Sequence, residues 1–359
     1  MSAAELTPRA APAGEPPSSA AVDVHAHHLP LEVLRIDGRF AARDGRQGVE
    51  SLYFGDRHLG PIPPRLTDVS LLVEDMERAN LSHRLCCAPS WLTCYWAEPA
   101  LGRELSRGIN EAIAGSVMAW PDRLLGLAAL PLQDVEGAVA ELRHGVRELG
   151  LVGASAGTNV NGVYFDDERF EPLFEAVQEL DVPLFFHPNN VAGEERLKEY
   201  GLTQIVGNPY DAAISLSRVI LGGVLERFPR LKLCFPLGGG GISFLLGRLT
   251  HGWEVRPEAR TRAPRSPAEY VRSCHFDTIL HSSLGFRGLV EVMPADRLLI
   301  GSDYPWEMGE REPRRMVEQS GLTPDECRAV LAGNAGRLLN TDFGAAGSEA
   351  GPLALEKEP

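Results

Sequence analysis

AVDVHAHHLP, residues 21–30, decides how the rest of the chain is read. Its first four residues make a short apolar strand, and His25 and His27 stand two apart at the strand's end. Successive strand side chains point to opposite faces, so these two imidazoles look the same way. Convergent nitrogens gather a divalent metal; a polar rim is the plainer reading of an isolated His-x-His. His28 turns to the other face. The ends of later strands decide between the two readings.

Beyond this strand, residues 35–66 are polar and rich in Gly and Pro, an insertion long enough to face a substrate. Apolar strand-like runs follow at 85–88, 124–129, 151–154, 182–186, 231–235, 274–278 and 297–301. Between and after them lie helical patterns, at 67–80, 103–120, 135–149, 168–180, 208–228, 242–254, 284–292 and 324–339. Strands alternating with helices argue for parallel βα units, and eight of them for an α/β fold of the (β/α)8 TIM-barrel type. A doubly wound open sheet would carry glycines in its first βα turn, where this chain carries histidines. In a barrel the active site forms at the C-terminal ends of the strands.

The 359 residues are enough for one such domain, and no internal repeat appears. Lys+Arg of 35 against Asp+Glu of 49 gives a net charge of −14, with no basic run, so nucleic acid is not an expected partner. Six scattered cysteines without a CxxC pair fit a reducing cytoplasm. Residues 1–20 and about 342–359 read as disordered tails flanking a folded unit over 21–341. No stretch approaches the roughly 20 apolar residues of a membrane span.

Polar residues fall where a barrel would use them. Strand one ends in His25 and His27, strand five in His187, and strand eight in Asp303 followed by Tyr304, Pro305 and Trp306. Three imidazoles and a carboxylate at one barrel mouth suit Zn²⁺, with Mn²⁺ or another first-row ion as alternatives. Gly238 to Gly241 after strand six invite a phosphate-loop reading, but no Lys-Ser/Thr follows; close backbone approach explains them better.

The stretches VDVHAHHLP, CYWAEP, RLLGLAALPLQD, FFHPNN, GGVLERFPRLKLCFPLGGGGISFLLGR, FDTILH, RLLIGSDYPWEMGE and LAGNAGRLL cover about residues 21–340. Together they resemble the decarboxylase-like branch of the amidohydrolase superfamily. The resemblance implies a metal-dependent carbon–carbon lyase with His25, His27, His187 and Asp303 as ligands. Asp303 would also shuttle a proton, and His281 and His251 match histidines common in the branch. Arg248 matches an arginine that reaches the neighbouring subunit's substrate carboxylate, which implies a homodimer. Trp306 stands among the expected substrate contacts.

Three positions depart from the branch. Leu237 occupies the end of strand six, where the branch has an acid/base histidine. Asn189 replaces the aromatic residue after the strand-five His-Pro. The carboxylate-binding arginine expected in the insertion falls near Pro63, with Arg65 the nearest candidate. Three readings follow: a carboxy-lyase on a small carboxylated aromatic or semialdehyde-type substrate; a metal-dependent hydrolase, hydratase or cyclising enzyme; and a catalytically silent metal-binding homologue.

Overall fold

The computed structural model describes residues 20–45 and 48–343. The expected tails lie outside the described residues, apart from Ala20, Asp342 and Phe343. Eight parallel barrel strands follow one another in chain order: Val22–His27, His83–Cys87, Leu124–Gly126 continued by Ala128–Ala129, Ala154–Gly157, Pro183–His187, Lys232–Phe235, His275–Asp277 and Leu298–Leu299. Strand three bridges two sheets: its first half pairs with strand two and its second with strand four. Strands one and eight close the barrel, with the Val24 N–H donating to the Ile300 carbonyl at 2.9 Å and the His27 N–H to the Tyr304 carbonyl at 2.7 Å. The architecture is an α/β barrel of the TIM type.

Val22, Val24, Leu85, Cys87, Leu125, Leu127, Phe185, Cys234 and Leu299 form a buried interior cluster, joined by Ala335, Leu338 and Leu339 of the helix Asn334–Leu339. Strict alternation along strand one would put the valines on one face and the histidines on the other. The pairing with strand two slips by one residue between Asp23 and Ala26. Such a bulge reverses the alternation, so Val24 and His25 line the same small cavity, about 20 Å³ in volume.

Caps start the helices where the sequence offers them. Asp68 accepts from the Ser70 N–H ahead of Val69–Arg78, and Ser282 from the Gly285 N–H ahead of Ser283–Val292. The expected helix over 208–228 breaks into Asn208–Leu221 and Val224–Arg227. Gly223 has φ +71°, and a Cβ there would lie 2.1 Å from the Arg262 carbonyl oxygen. Strand four begins at Ala154 rather than 151, and its last residue, Gly157, leaves room for the Asn189 amide. The helix after strand six, Leu237–Val255, opens with five left-handed residues, Leu237 to Gly241, at φ +55° to +85°. Only glycine adopts that conformation without strain, so the glycines permit this turn.

The insertion folds as an antiparallel sheet of Phe40–Arg43, Ser51–Phe54 and Arg57–Pro61. It lies on the aromatic loop after strand two, with Gly60 against the Trp91 ring and Phe54 5.2 Å from Trp96. Tyr95 of that loop accepts from the Gly157 N–H at 3.0 Å, which ties the loop to the end of strand four. Among the described residues no helix is long and apolar enough to cross a membrane.

Candidate metal centre

His25, His27, His187 and Asp303 each aim one ligand atom at a common point, and these atoms lie within 4.8 Å of one another. His27 Nε2 stands 3.1 Å from both His187 Nε2 and Asp303 Oδ1, and His25 Nε2 stands 3.5 Å from the same carboxylate oxygen. His25 Nε2 is buried without a hydrogen-bond partner. An orphaned buried nitrogen facing two other imidazoles and a carboxylate fits a divalent cation.

Each ring is held from behind. His25 Nδ1 donates to Asp277 Oδ2 at 2.7 Å, His187 Nδ1 lies 3.0 Å from the Pro188 carbonyl, and His27 Nδ1 lies 3.4 Å from Cys87 Sγ. Such contacts orient ligand rings and set which nitrogen is free. Asp277 Oδ1 in turn accepts from the Gly238 and Ile279 N–H groups at 3.3 and 3.2 Å. The left-handed glycine turn therefore acts on the centre through Asp277.

Burial and charge compete in these groups. Burial opposes protonation of His25, but the bond and charge of Asp277, with Asp303 and Asp23 behind, raise its pKa to about 9. Burial, only partly offset by Asp303, lowers His27 to about 4. Burial alone would raise Asp303, yet the His187 and His27 imidazoles beside it hold its carboxyl well below the usual carboxylate range.

Asp23, two residues before the first ligand, fixes the strand-one/strand-eight seam. Its Oδ1 accepts from the backbone N–H groups of His25 and Ser302 at 3.1 and 2.9 Å. Its Oδ2 accepts from Ser302 Oγ and Arg84 Nε at 2.5 and 2.8 Å. Arg84 is wholly buried; it also bonds Asp75 and the Leu72 carbonyl and covers the Tyr304 ring at 4.4 Å. On the Asp303 side, its N–H donates to the His25 carbonyl at 2.7 Å.

The other expected residues fall in several places. Trp306 packs 5.8 Å from the His27 ring, and Asn189 rests its buried, unpartnered Oδ1 over Gly157. Leu237 is half-buried at the start of the glycine turn. His281 is exposed, 3.5 Å from Glu310 Oε2, whose own N–H bonds the Ser302 carbonyl. A Cβ on Gly238 would lie 2.6 Å from Leu280, so position 237 and the His281 loop are neighbours. Arg65 pairs with Asp75 at 3.2 Å. Arg248 and His251 lie on the exposed face of Leu237–Val255 beside Phe244, which is 88% exposed. The expectations passed over Asp277, Cys87, Asp23 and Arg84. A charge inside an apolar strand was the available signal for the aspartates and the arginine; Cys87 gave none.

The amidohydrolase family model matches residues 93–341. The chain is 30% identical over 329 residues to 2-amino-3-carboxymuconate-6-semialdehyde decarboxylase of Dictyostelium discoideum, covering 89% of this chain and 92% of that protein. In fold it is similar to crystalline 5-carboxyvanillate decarboxylase from Sphingomonas paucimobilis, with TM-score 0.77 at 24% identity, over 90% of this chain and 100% of the other. A dihydroxybenzoic acid decarboxylase from Polaromonas sp. JS666, crystallised with manganese and 2-nitroresorcinol, gives TM-score 0.74 at 22% identity, over 90% and 97%. The barrel, the four converging side chains and these likenesses agree: the chain belongs to the amidohydrolase family, in its decarboxylase-like branch.

Proposed function

We propose that this protein is a metal-dependent carboxy-lyase acting on a small carboxylated aromatic or semialdehyde-type substrate. The observation that carries the reading is the convergence of His25, His27, His187 and Asp303 at the strand ends of a decarboxylase-like chain. These four would hold one divalent ion, Zn²⁺ first by its taste for imidazole, and Mn²⁺ as the alternative that the dihydroxybenzoic acid decarboxylase supports. When bound, the ion supplies Lewis acidity to a substrate oxygen. The bond to the carboxylate carbon breaks, CO₂ leaves, and the electron pair left on the substrate carbon takes a proton.

The chain's own groups do the rest. Asp303 and His281, the latter backed by Glu310, are assigned the proton, since Leu237 has none to give. Asn189, Leu237 and Trp306 shape the pocket. Arg65 already has Asp75, so we assign the substrate carboxylate to Arg248 of the partner subunit in a homodimer. Among the described residues Arg248 has no hydrogen bond or ion pair, and exposed Phe244 and Val255 on the same helix support a subunit contact there. Unpaired thiols at all six cysteines support a reducing cytoplasm.

The test is CO₂ release by Zn²⁺- or Mn²⁺-loaded protein from dihydroxybenzoates, 5-carboxyvanillate and 2-amino-3-carboxymuconate-6-semialdehyde. Turnover of one, lost with metal content in His187→Ala and Asp303→Ala, is expected. Turnover without CO₂ would favour a second reading, a hydratase or hydrolase, which Leu237 in the acid/base position supports. Metal-loaded protein inert on all classes would leave a silent homologue. Light scattering giving a particle of about 39 kDa would remove Arg248 from the site.

A further inference from the structure

The three imidazoles of the centre are braced by three different chemistries. A carboxylate stands behind His25, a carbonyl behind His187 and a thiol behind His27. Carboxylates and carbonyls only accept, so His25 and His187 keep a hydrogen on Nδ1 whatever occupies the centre. A thiol both donates and accepts. Cys87 also has a second acceptor in reach, the Ala26 carbonyl at 3.5 Å.

That difference matters because His27 must serve two states. Its Nε2 faces Asp303 Oδ1 at 3.1 Å. Without a cation, a hydrogen on Nε2 satisfies that carboxylate, Nδ1 becomes an acceptor, and the Cys87 S–H supplies it. With a cation on Nε2 the hydrogen must stand on Nδ1 and be donated to Sγ, while the S–H turns to the Ala26 carbonyl. In both states His27 Nδ1 and the Cys87 thiol keep a partner.

We propose that Cys87 is a positioning residue that lets His27 change tautomer as the ion enters, by reversing their shared hydrogen bond instead of losing it. The proposal rests on the metal reading of the cluster, which the buried, unpartnered His25 Nε2 supports independently of Cys87. Asp277 fixes the Nδ1 hydrogen of His25 in advance; Cys87 makes His27 the ligand that adapts.

The first measurement is Zn²⁺ binding to the chelator-stripped full chain by competition with an indicator. Binding nothing stoichiometric would overturn the metal reading and this inference with it. Given binding, ¹⁵N NMR of histidine-labelled protein reads each ring. The Nε2–H form of His27 is expected without metal and the Nδ1–H form with Zn²⁺, while His25 keeps its Nδ1 hydrogen throughout. The same His27 tautomer in both states would overturn the inference and leave the metal site standing. Removing a group behind a ligand ring weakens metal binding about 10–100-fold, and a thiol is a weak partner, so Cys87→Ala should weaken Zn²⁺ by about tenfold. Cys87→Ser keeps a group that donates and accepts, and should restore both the affinity and the tautomer change. Wild-type affinity in Cys87→Ala, or equal loss in both variants, would mean that Cys87 only fills space.

Discussion

The seam between strands one and eight and the turn after strand six share the barrel mouth but are built from different material. The seam is side-chain chemistry: Asp23 accepts four hydrogen bonds, and buried Arg84 joins it to Asp75 and the Leu72 carbonyl. The turn is backbone: five left-handed residues whose one bond to the centre is the Gly238 N–H on Asp277. Changing a side chain in the seam disturbs several ligands at once. Leu237, where the resemblance leads one to expect a histidine, is half-buried in a turn that asks little of that side chain. The geometry of the candidate centre is thus secured where contacts are redundant, while the turn beside it rests on few.

The comparison breaks most visibly at Arg84. Arg84→Met should leave Asp23 charged, buried and short of a partner, which costs about 3–5 kcal/mol. Thermal melting should show it, and the Asp23→Asn, Arg84→Met pair should recover part of the loss. A single variant melting like wild type would show that the seam does not depend on the ion pair.

Next comes the turn. A Cβ on Gly240 would lie 1.8 Å from the Pro209 carbonyl oxygen at φ +65°. Gly240→Ala should therefore cost more than about 2 kcal/mol, from backbone and clash together. Denaturant titration showing no change would mean that the turn yields easily.

His275, under the seven–eight strand pair, gives a smaller effect. Burial, with Arg297 adding to it, lowers its pKa to about 4 from an ordinary 6.5. The unfolded chain then binds the proton more readily, so the stability from neutral His275 is complete above pH 6.5 and lost as pH falls toward 4. His275→Asn should flatten that acid dependence by on the order of 1–3 kcal/mol; an unchanged slope would assign it to other groups.

Leu237→His should matter least to the fold. Histidine tolerates the left-handed region better than leucine, which offsets part of the cost of half-burying an imidazole. The net effect should stay within about 1 kcal/mol, with metal content unchanged. Loss of metal would show that position 237 bears on the ligands, and the contrast between seam and turn would fail.

Much of this was readable because polar residues interrupt apolar runs at strand ends. His25, His27, His187 and Asp303 stand out against valine, phenylalanine and leucine, and the βα alternation orders the strands. The bulge between Asp23 and Ala26 was not readable, since it belongs to the pairing with strand two. Cys87 looked like any small buried residue. The right-handed part of the strand-six helix was readable over 242–254; that the residues before it turn left-handed and still follow a helical hydrogen-bond pattern was not. Strand four, Ala-Ser-Ala-Gly, carried no β-forming signal; its last residue, Gly157, leaves room for Asn189.

The seam joins residues 279 apart in sequence, Asp23 and Ser302. A ribosome adding about 5–20 residues per second releases the later partner about 15–55 s after the earlier one. For that interval His25 and His27 exist without Asp303, on an open sheet edge. On the proposed metal reading, a polypeptide halted before strand eight carries three of the four ligands, and the full set converges only in the finished chain.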